Sequence, residues 1–321
     1  MALPTNTFTQ FDAAGNREDL SDIIYDISPT ETPFCSGISR TTASAVTHEW
    51  QTDSLAAADT ANAALEGDDA AGGAITATTR LSNVCQILDK VVVVSGTQRA
   101  VNSAGRADEL EYQVAKKGRE LKRDIESIVL SEHGKVTGST ATARNMGGIE
   151  AWLASNKVHN ASTATTPGGG AAVSDATNVV VTATLLKAQL DTVIQSCWTS
   201  GGDPTVIMVP GTGKVVASAM SGIATLYRDV PANSEGQIIG GADVYVSNFG
   251  NHTIVPNRFM RTQTALVLDM EFWSIAELRG MMTTPLSKTG DNDKRQLLTE
   301  ITLEARNEAS SGKVADCTFT A

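Results

Sequence analysis

Aromatic residues are scarce in this 321-residue chain, at 5% of positions, although hydrophobic residues make up 41%. Such a chain can bury broad surfaces but has few large anchors, and its length points to two subdomains or one elaborated domain. Basic charge is also short: 25 Lys and Arg stand against 36 Asp and Glu, a net charge of −11. That balance argues against a dedicated nucleic-acid binder, which is normally basic overall or densely basic in one patch. Cys35, Cys85, Cys197 and Cys317 are scattered with no C-x-x-C pair. They supply neither a zinc-site spacing nor a dense disulfide framework, and buried reduced thiols are the expectation. No apolar run is long enough to span a bilayer. "MALPTNTFTQF" lacks a basic stretch followed by an apolar core, so the expectation is a soluble protein without a secretion signal, made in the cytoplasm.

Catalytic motifs are missing as well. "VIMVPGTGKVV" has the outline of a phosphate-binding strand, loop and helix. The motif needs a glycine, four residues, then Gly-Lys and a hydroxyl residue. Here Met208 stands at the first glycine and Val215 follows Gly213 and Lys214, so a plain strand-to-helix turn is expected. His48-Glu49-Trp50 starts like a zinc deaminase, but no P-C-x-x-C follows. There is no H-E-x-x-H and no G-x-S-x-G. "EGDDA" and "DND" do not fit the twelve-residue calcium loop and read as solvated turns. No cofactor, metal site or catalytic cluster is expected.

What remains is an order of elements. Residues 1–44 carry turn and cap signals around Pro4, Gly15, Pro29 and Pro33, with a short helix expected over Arg17 to Tyr25. The rest of that arm reads as extended. Within 45–95, "AVTHEWQT" alternates as a strand does, and Thr76 to Val94 forms a second β-prone run. Small residues and an acidic tip containing Leu65, Glu66, Asp68 and Asp69 separate the two. The pattern predicts a hairpin whose ten-residue arms would reach roughly 33 Å. An isolated two-stranded hairpin is marginal in water, so support from outside the subunit is expected.

The strongest helical signal is "RADELEYQVAKKGRELKRDIESIVLSEHGK". Leu110, Val114, Gly118, Leu121, Ile125 and Ile128 share one face at helical spacing, with acids at the start and His133 and Gly134 expected at the end. Gly118 on that face suggests the close approach of a strand or loop. Lys116, Lys117, Arg119, Lys122 and Arg123 fall on the other faces. After this helical segment (96–145) comes a separate α/β unit (146–255), then a β-rich return (256–321).

Three local sequences accompany this order: "ISPTETPF" at 27–34, "MGGIEAWL" at 146–153 and "PLSKTGDNDKRQLLTEITLEARNE" at 285–308. Together they resemble the major capsid proteins of tailed bacteriophages, over nearly the whole chain. The resemblance implies an α+β fold named after phage Hong Kong 97. Its parts would be an N-arm (1–44), an extended hairpin loop (45–95), a peripheral domain with a spine helix (96–145 and 256–321) and an axial domain (146–255). It implies self-assembly into hexamers and pentamers of an icosahedral shell around double-stranded DNA. A portal, a separate scaffolding protein and a decoration protein are the further partners it allows, with only weak DNA contact and no membrane. Trp50, Leu65, Glu66, Asp68, Asp69, Lys116, Lys117, Arg119, Lys122 and Arg123 are the candidate intersubunit contacts. A phage tail or decoration protein, and an α/β enzyme with an unrecognised site, are the alternatives.

Overall fold

A computed structural model describes residues 28–63, 65–67, 69, 72–73, 75–101, 105, 107–160, 169–170, 185–220 and 243–319. The helix expected over Arg17 to Tyr25 lies outside these residues, as does Asp68.

The organising element is helix α3 (Glu109–Val129), third in the chain after the short helices α1 (Pro33–Gly37) and α2 (Gly96–Ala100). Asp108 caps α3 by accepting from Leu110 N at 3.0 Å, with Glu109 and Glu111 in the first turn. Leu110 and Leu121 are buried, and Val114, Ile125 and Ile128 pack against the same core. The helix stops at Val129, short of the expected His133 and Gly134. Val129 and Leu130 turn into the core, and the Ser131 hydroxyl donates to the Ile128 carbonyl at 2.6 Å. A serine therefore satisfies a last-turn carbonyl, and no C-terminal glycine is needed.

Twelve strands are placed among the described residues: β1 (Ser39–Thr42), β2 (Thr47–Thr52), β3 (Thr79–Val84), β4 (Gln86–Ser95), β5 (Asn156–His159), β6 (Val206–Val209), β7 (Val244–Ser247), β8 (Gly250–Pro256), β9 (Ala265–Leu268), β10 (Trp273–Leu286), β11 (Asn292–Ala305) and β12 (Gly312–Ala315). Four of them form a sheet in the order β1-β10-β11-β4, which α3 packs against through β4 and β11. Six form a second sheet in the order β5-β12-β9-β6-β8-β7. After the one-turn helix α4 (Ile149–Trp152), helices α5 (Lys187–Thr199) and α6 (Gly211–Ser218) cover one face of that second sheet, with Leu190, Ile194, Val216 and Val267 in the shared core. Met208, Leu266 and Leu268 enter the other core, the one that contains α3.

Two boundaries differ from the sequence reading. The β-prone run from Thr76 to Val94 breaks at Cys85: β3 pairs with β2, whereas β4 pairs with β11. The paired arms of the hairpin are thus six residues, Thr47↔Val84 to Thr52↔Thr79, and not ten. The line drawn at 255/256 likewise fails to separate the two sheets. β9 and β12 lie beyond it yet belong to the six-stranded sheet, while β10 and β11 belong to the four-stranded one. Pairing between strands distant in sequence produces this interleaving, which local patterns do not encode.

Candidate assembly surfaces

The foot of the hairpin is locked into its own subunit. Asn83 on β3 is fully buried and uses every valence of its side-chain amide. Nδ2 donates to Leu303 O at 2.7 Å and to Gly147 O at 3.2 Å, while Oδ1 accepts from Gly147 N and Val84 N at 2.9 Å. Trp50 already has partners inside the subunit. Assigned from sequence to an intersubunit contact, it donates from Nε1 to Ala305 O at 2.7 Å within the subunit and lies 5.3 Å from the Trp152 ring.

Beyond the foot, the described residues of the hairpin are exposed. Leu55 is 99% exposed, Leu65 79% and Ile75 97%, and Glu66 and Asp69 are exposed beside them. From Asp53 to Ile75 the chain carries Asp53, Asp59, Glu66, Asp68 and Asp69 and no lysine or arginine. The loop is therefore an apolar and acidic arm whose large apolar side chains are left uncovered among the described residues.

The basic residues of α3 divide. Lys117 pairs with Glu120 at 2.6 Å and holds that carboxyl below its usual range. Arg123 lies over the Phe259 ring, 5.6 Å from its centre. Lys116, Arg119 and Lys122 are exposed on the solvent side. On the sheet-facing side, a Cβ at Gly118 would lie 3.6 Å from Leu297 Cδ2. The close neighbour expected there is thus a β11 side chain at ordinary contact distance, not a backbone.

The three local sequences meet around α3. Glu126, buried in that helix, accepts from Phe34 N and Cys35 N at 2.8 Å and from Asn257 Nδ2 at 2.7 Å. One carboxylate thereby joins the start of α1, the spine helix and the exit from β8. In the second sequence, a Cβ on Gly148 would meet Ser131 O at 2.1 Å, so only glycine fits. Two residues on, Glu150 is fully buried with Arg261 Nη2 at 3.0 Å, and Arg261 also reaches Glu132 at 2.6 Å. Burial pushes the Glu150 carboxyl up, against the opposing pull of Arg261 and Lys313. Lys313, itself fully buried, donates to Glu150 O at 3.0 Å. Glu308 of the third sequence accepts from Ala154 N at 3.1 Å and Ser155 N at 3.3 Å, immediately after the second.

The turn between β10 and β11 is pinned by charge. Arg99 bridges Asp108 at 2.9 Å and Asp293 at 2.6 Å, and Lys288 adds 2.6 Å to Asp293. Lys288 and Arg99 hold the Asp293 carboxyl below the usual range. The "DND" carboxylate at Asp293 is thus occupied by cations. Lys214, the lysine of the glycine loop, is also engaged, to Asp243 Oδ1 at 2.9 Å and Ile254 O at 2.8 Å.

Sequence reasoning missed Asn83, Glu126, Glu150 and Lys313. Nothing in the periodicity distinguishes Glu126 from the partly exposed Glu120 and Asp124 nearby, and Lys313 sits in a strand buried along its whole length.

The comparisons with known proteins agree with this architecture. The family described as SU10 major capsid protein matches residues 3–318. A major capsid protein of Escherichia phage Phieco32 is 29% identical over 343 residues, covering 97% of this chain and 97% of that protein. Among solved structures, the cyanophage A-1(L) capsid asymmetric unit overlays with a TM-score of 0.68 at 14% identity, over 97% of this chain and 100% of that one. The phage G major capsid protein, solved with decoration proteins, gives 0.52 at 10% identity, over 99% and 100%. Likeness at those identities speaks to the fold alone.

Proposed function

The chain belongs to the SU10 major capsid protein family, and from that premise we propose how its subunits meet in the shell. It is a structural protein of a phage virion, with the Hong Kong 97-type fold, and self-association into a shell is its function. The enzyme alternative is set aside, because the family and the relatives are capsid proteins.

The proposal is that each hairpin loop is supported by a neighbouring subunit within hexamers and pentamers of an icosahedral head filled with double-stranded DNA. The observation that carries it is the exposure of Leu55, Leu65 and Ile75, large apolar residues that their own subunit leaves in water. Burying a leucine or isoleucine contributes about 1.5–3 kcal/mol, so covering these side chains against a neighbour favours assembly. The acidic tip meets the basic face of α3 at Lys116, Arg119 and Lys122 of the next copy. Exposed ion pairs contribute only about 0–1 kcal/mol each, so this charge match sets register more than affinity. Packaged DNA touches the shell weakly and without sequence preference, consistent with the net charge of −11. Assembly in the host cytoplasm with a separate scaffolding protein and a portal belongs to the same reading. So does a decoration protein, supported by the presence of decoration proteins with the phage G neighbour.

Removing residues 56 to 73 tests the reading. The shortened subunit is expected to keep its circular dichroism spectrum and sediment as a folded species, yet to form no closed particles under the electron microscope. Normal particles would refute it. Reversing charge with Lys116→Glu and Lys122→Glu tests the tip contact separately. Loss of empty particles supports intersubunit pairing; normal empty shells with less packaged DNA would instead assign these lysines to the DNA-facing wall.

A further inference from the structure

Among the described residues, nothing closes the outer edge of strand β4. It pairs with β11 on one side, and among the described residues its backbone from Ile87 to Val94 makes no bond on the other. Edge strands of soluble proteins are usually blunted by charge, proline or a covering element. Here Asp89 and Lys90 provide charge at mid-strand, the first bonded to Gln296 and the second to Asp124. The stretch after them is four consecutive valines, Val91 to Val94. Val92 and Val94 are buried, whereas Val91 is 45% and Val93 55% exposed. A groove follows this stretch, with Val91 to Ser95 on one wall and Gln98, Glu109, Gln113 and Lys117 on the other. Because β11 contributes nothing to the groove, it runs along the open side of β4.

The segment that leads into β3 pairs with no strand among the described residues, and Thr78 Oγ1 donates to Gln51 Oε1 at 3.2 Å. Pairing of the hairpin ends at Thr52↔Thr79, and the preceding residues Ile75, Thr76, Ala77 and Thr78 are exposed and make no backbone hydrogen bond among the described residues. Their β-branched residues favour an extended, half-buried pleat. Four residues match the four valines in length. The position also suits the proposed tip contact. Lys117 lines the groove and Lys116, Arg119 and Lys122 continue along the same helix, while six residues of extended chain from Ile75 to Asp69 span up to about 20 Å.

We propose that residues 75–78 of one copy add as an extra strand to the free edge of β4 in the next copy, along the Val91–Ser95 groove. This rests on the reading that a neighbour supports the hairpin, and it specifies the receiving edge. Main-chain hydrogen bonds supply the affinity, and Ile75 against the exposed valines sets the register. A strand from a different virion protein is the competing occupant.

The test uses the full chain. The four native cysteines are all buried, so mild oxidation addresses only introduced thiols. Chains carrying Val93→Cys together with Ile75→Cys, or with Thr76→Cys for the alternative register, are expected to run as a covalent ladder of oligomers once assembled. The unassembled subunit should give none. Val93→Lys, at an exposed position, should leave the melting curve of the subunit unchanged and abolish particles. Normal particle yield from Val93→Lys, or assembled particles of both cysteine pairs without a ladder, overturns the proposal. If the 56–73 deletion blocks assembly while the cysteine pairs stay silent, the neighbour-supported hairpin stands and this edge is not its receiver. Trapping of a different virion protein by Cys at position 93 also overturns it, by replacing the second copy as occupant.

Discussion

The six-stranded sheet and the hairpin loop use apolar residues in opposite ways. In the sheet, β9 reads Ala265-Leu266-Val267-Leu268, and every residue is fully buried. Ala265 and Val267 face the core under α5 and α6, while Leu266 and Leu268 face the core around α3. In the loop, Leu55, Leu65 and Ile75 face water. The same side-chain chemistry stabilises the subunit in one place and, in the proposed assembly, is held for a neighbour in the other. On that proposal, conformational stability and assembly competence reside in separable parts of one chain, joined at the foot by Asn83 and Trp50.

Substitutions of like chemistry at the two places sharpen that comparison most. Leu266→Ala removes a side chain from the centre of the sheet and is expected to cost about 2–5 kcal/mol of subunit stability. Leu65→Ala removes the same atoms from an exposed position and should change subunit stability by no more than about 0.5 kcal/mol. Urea unfolding of the unassembled chains measures both. The Leu65 variant should then lose particle yield out of proportion to its stability. Equal destabilisation of the two variants would show that the loop is packed within its own subunit after all.

A smaller effect is expected at Glu126, where arm, spine helix and β8 exit are tied together. Glu126→Gln keeps the shape but turns one acceptor into a donor, facing the N–H groups of Phe34 and Cys35 or the amide of Asn257. An unsatisfied buried donor costs about 1–3 kcal/mol. The loss should be local, appearing first as faster hydrogen exchange at the Phe34 and Cys35 amides. Unchanged protection there would mean that β1, paired in parallel with β10 from Ser39↔Ser274 to Thr42↔Glu277, holds the arm by itself.

The contrast also explains what was legible in the sequence. The spine helix could be read because its packing is local: residues three and four apart share the face that meets the sheet. The hairpin could be located by alternation and by the low complexity of its tip, but not measured. The switch of sheets at Cys85 depends on β11, more than 200 residues away in sequence, and no local pattern carries it. The same holds for β9 and β12, which leave the β-rich C-terminal stretch to complete the other sheet. Polar residues were the least legible. Asn83, Glu126 and Lys313 are buried because distant backbone groups receive them, and a residue type gives no sign of its partners.

Gly118 provides the finest test, since here sequence and structure lead to different expectations. From the pattern alone, a glycine in the middle of the apolar face implies close backbone approach, and any added side chain should then clash. The nearest atom outside the helix's own backbone is Leu297 Cδ2, 3.6 Å from where a Cβ would lie, and no other lies within 4 Å among the described residues. A methyl group fits at that distance without moving β11. Alanine also lowers the entropy of the unfolded chain and has the higher helix propensity, by about 0.8–1 kcal/mol. Gly118→Ala is therefore expected to raise subunit stability by about 0.5–1 kcal/mol, seen as a higher melting temperature of the unassembled chain. Longer side chains reverse the sign: Gly118→Leu would press into Leu297 and overpack the contact, at about 1–3 kcal/mol. A lower melting temperature for the alanine variant would mean that α3 and β11 lie closer in solution than this geometry allows. The glycine would then serve close packing between helix and sheet.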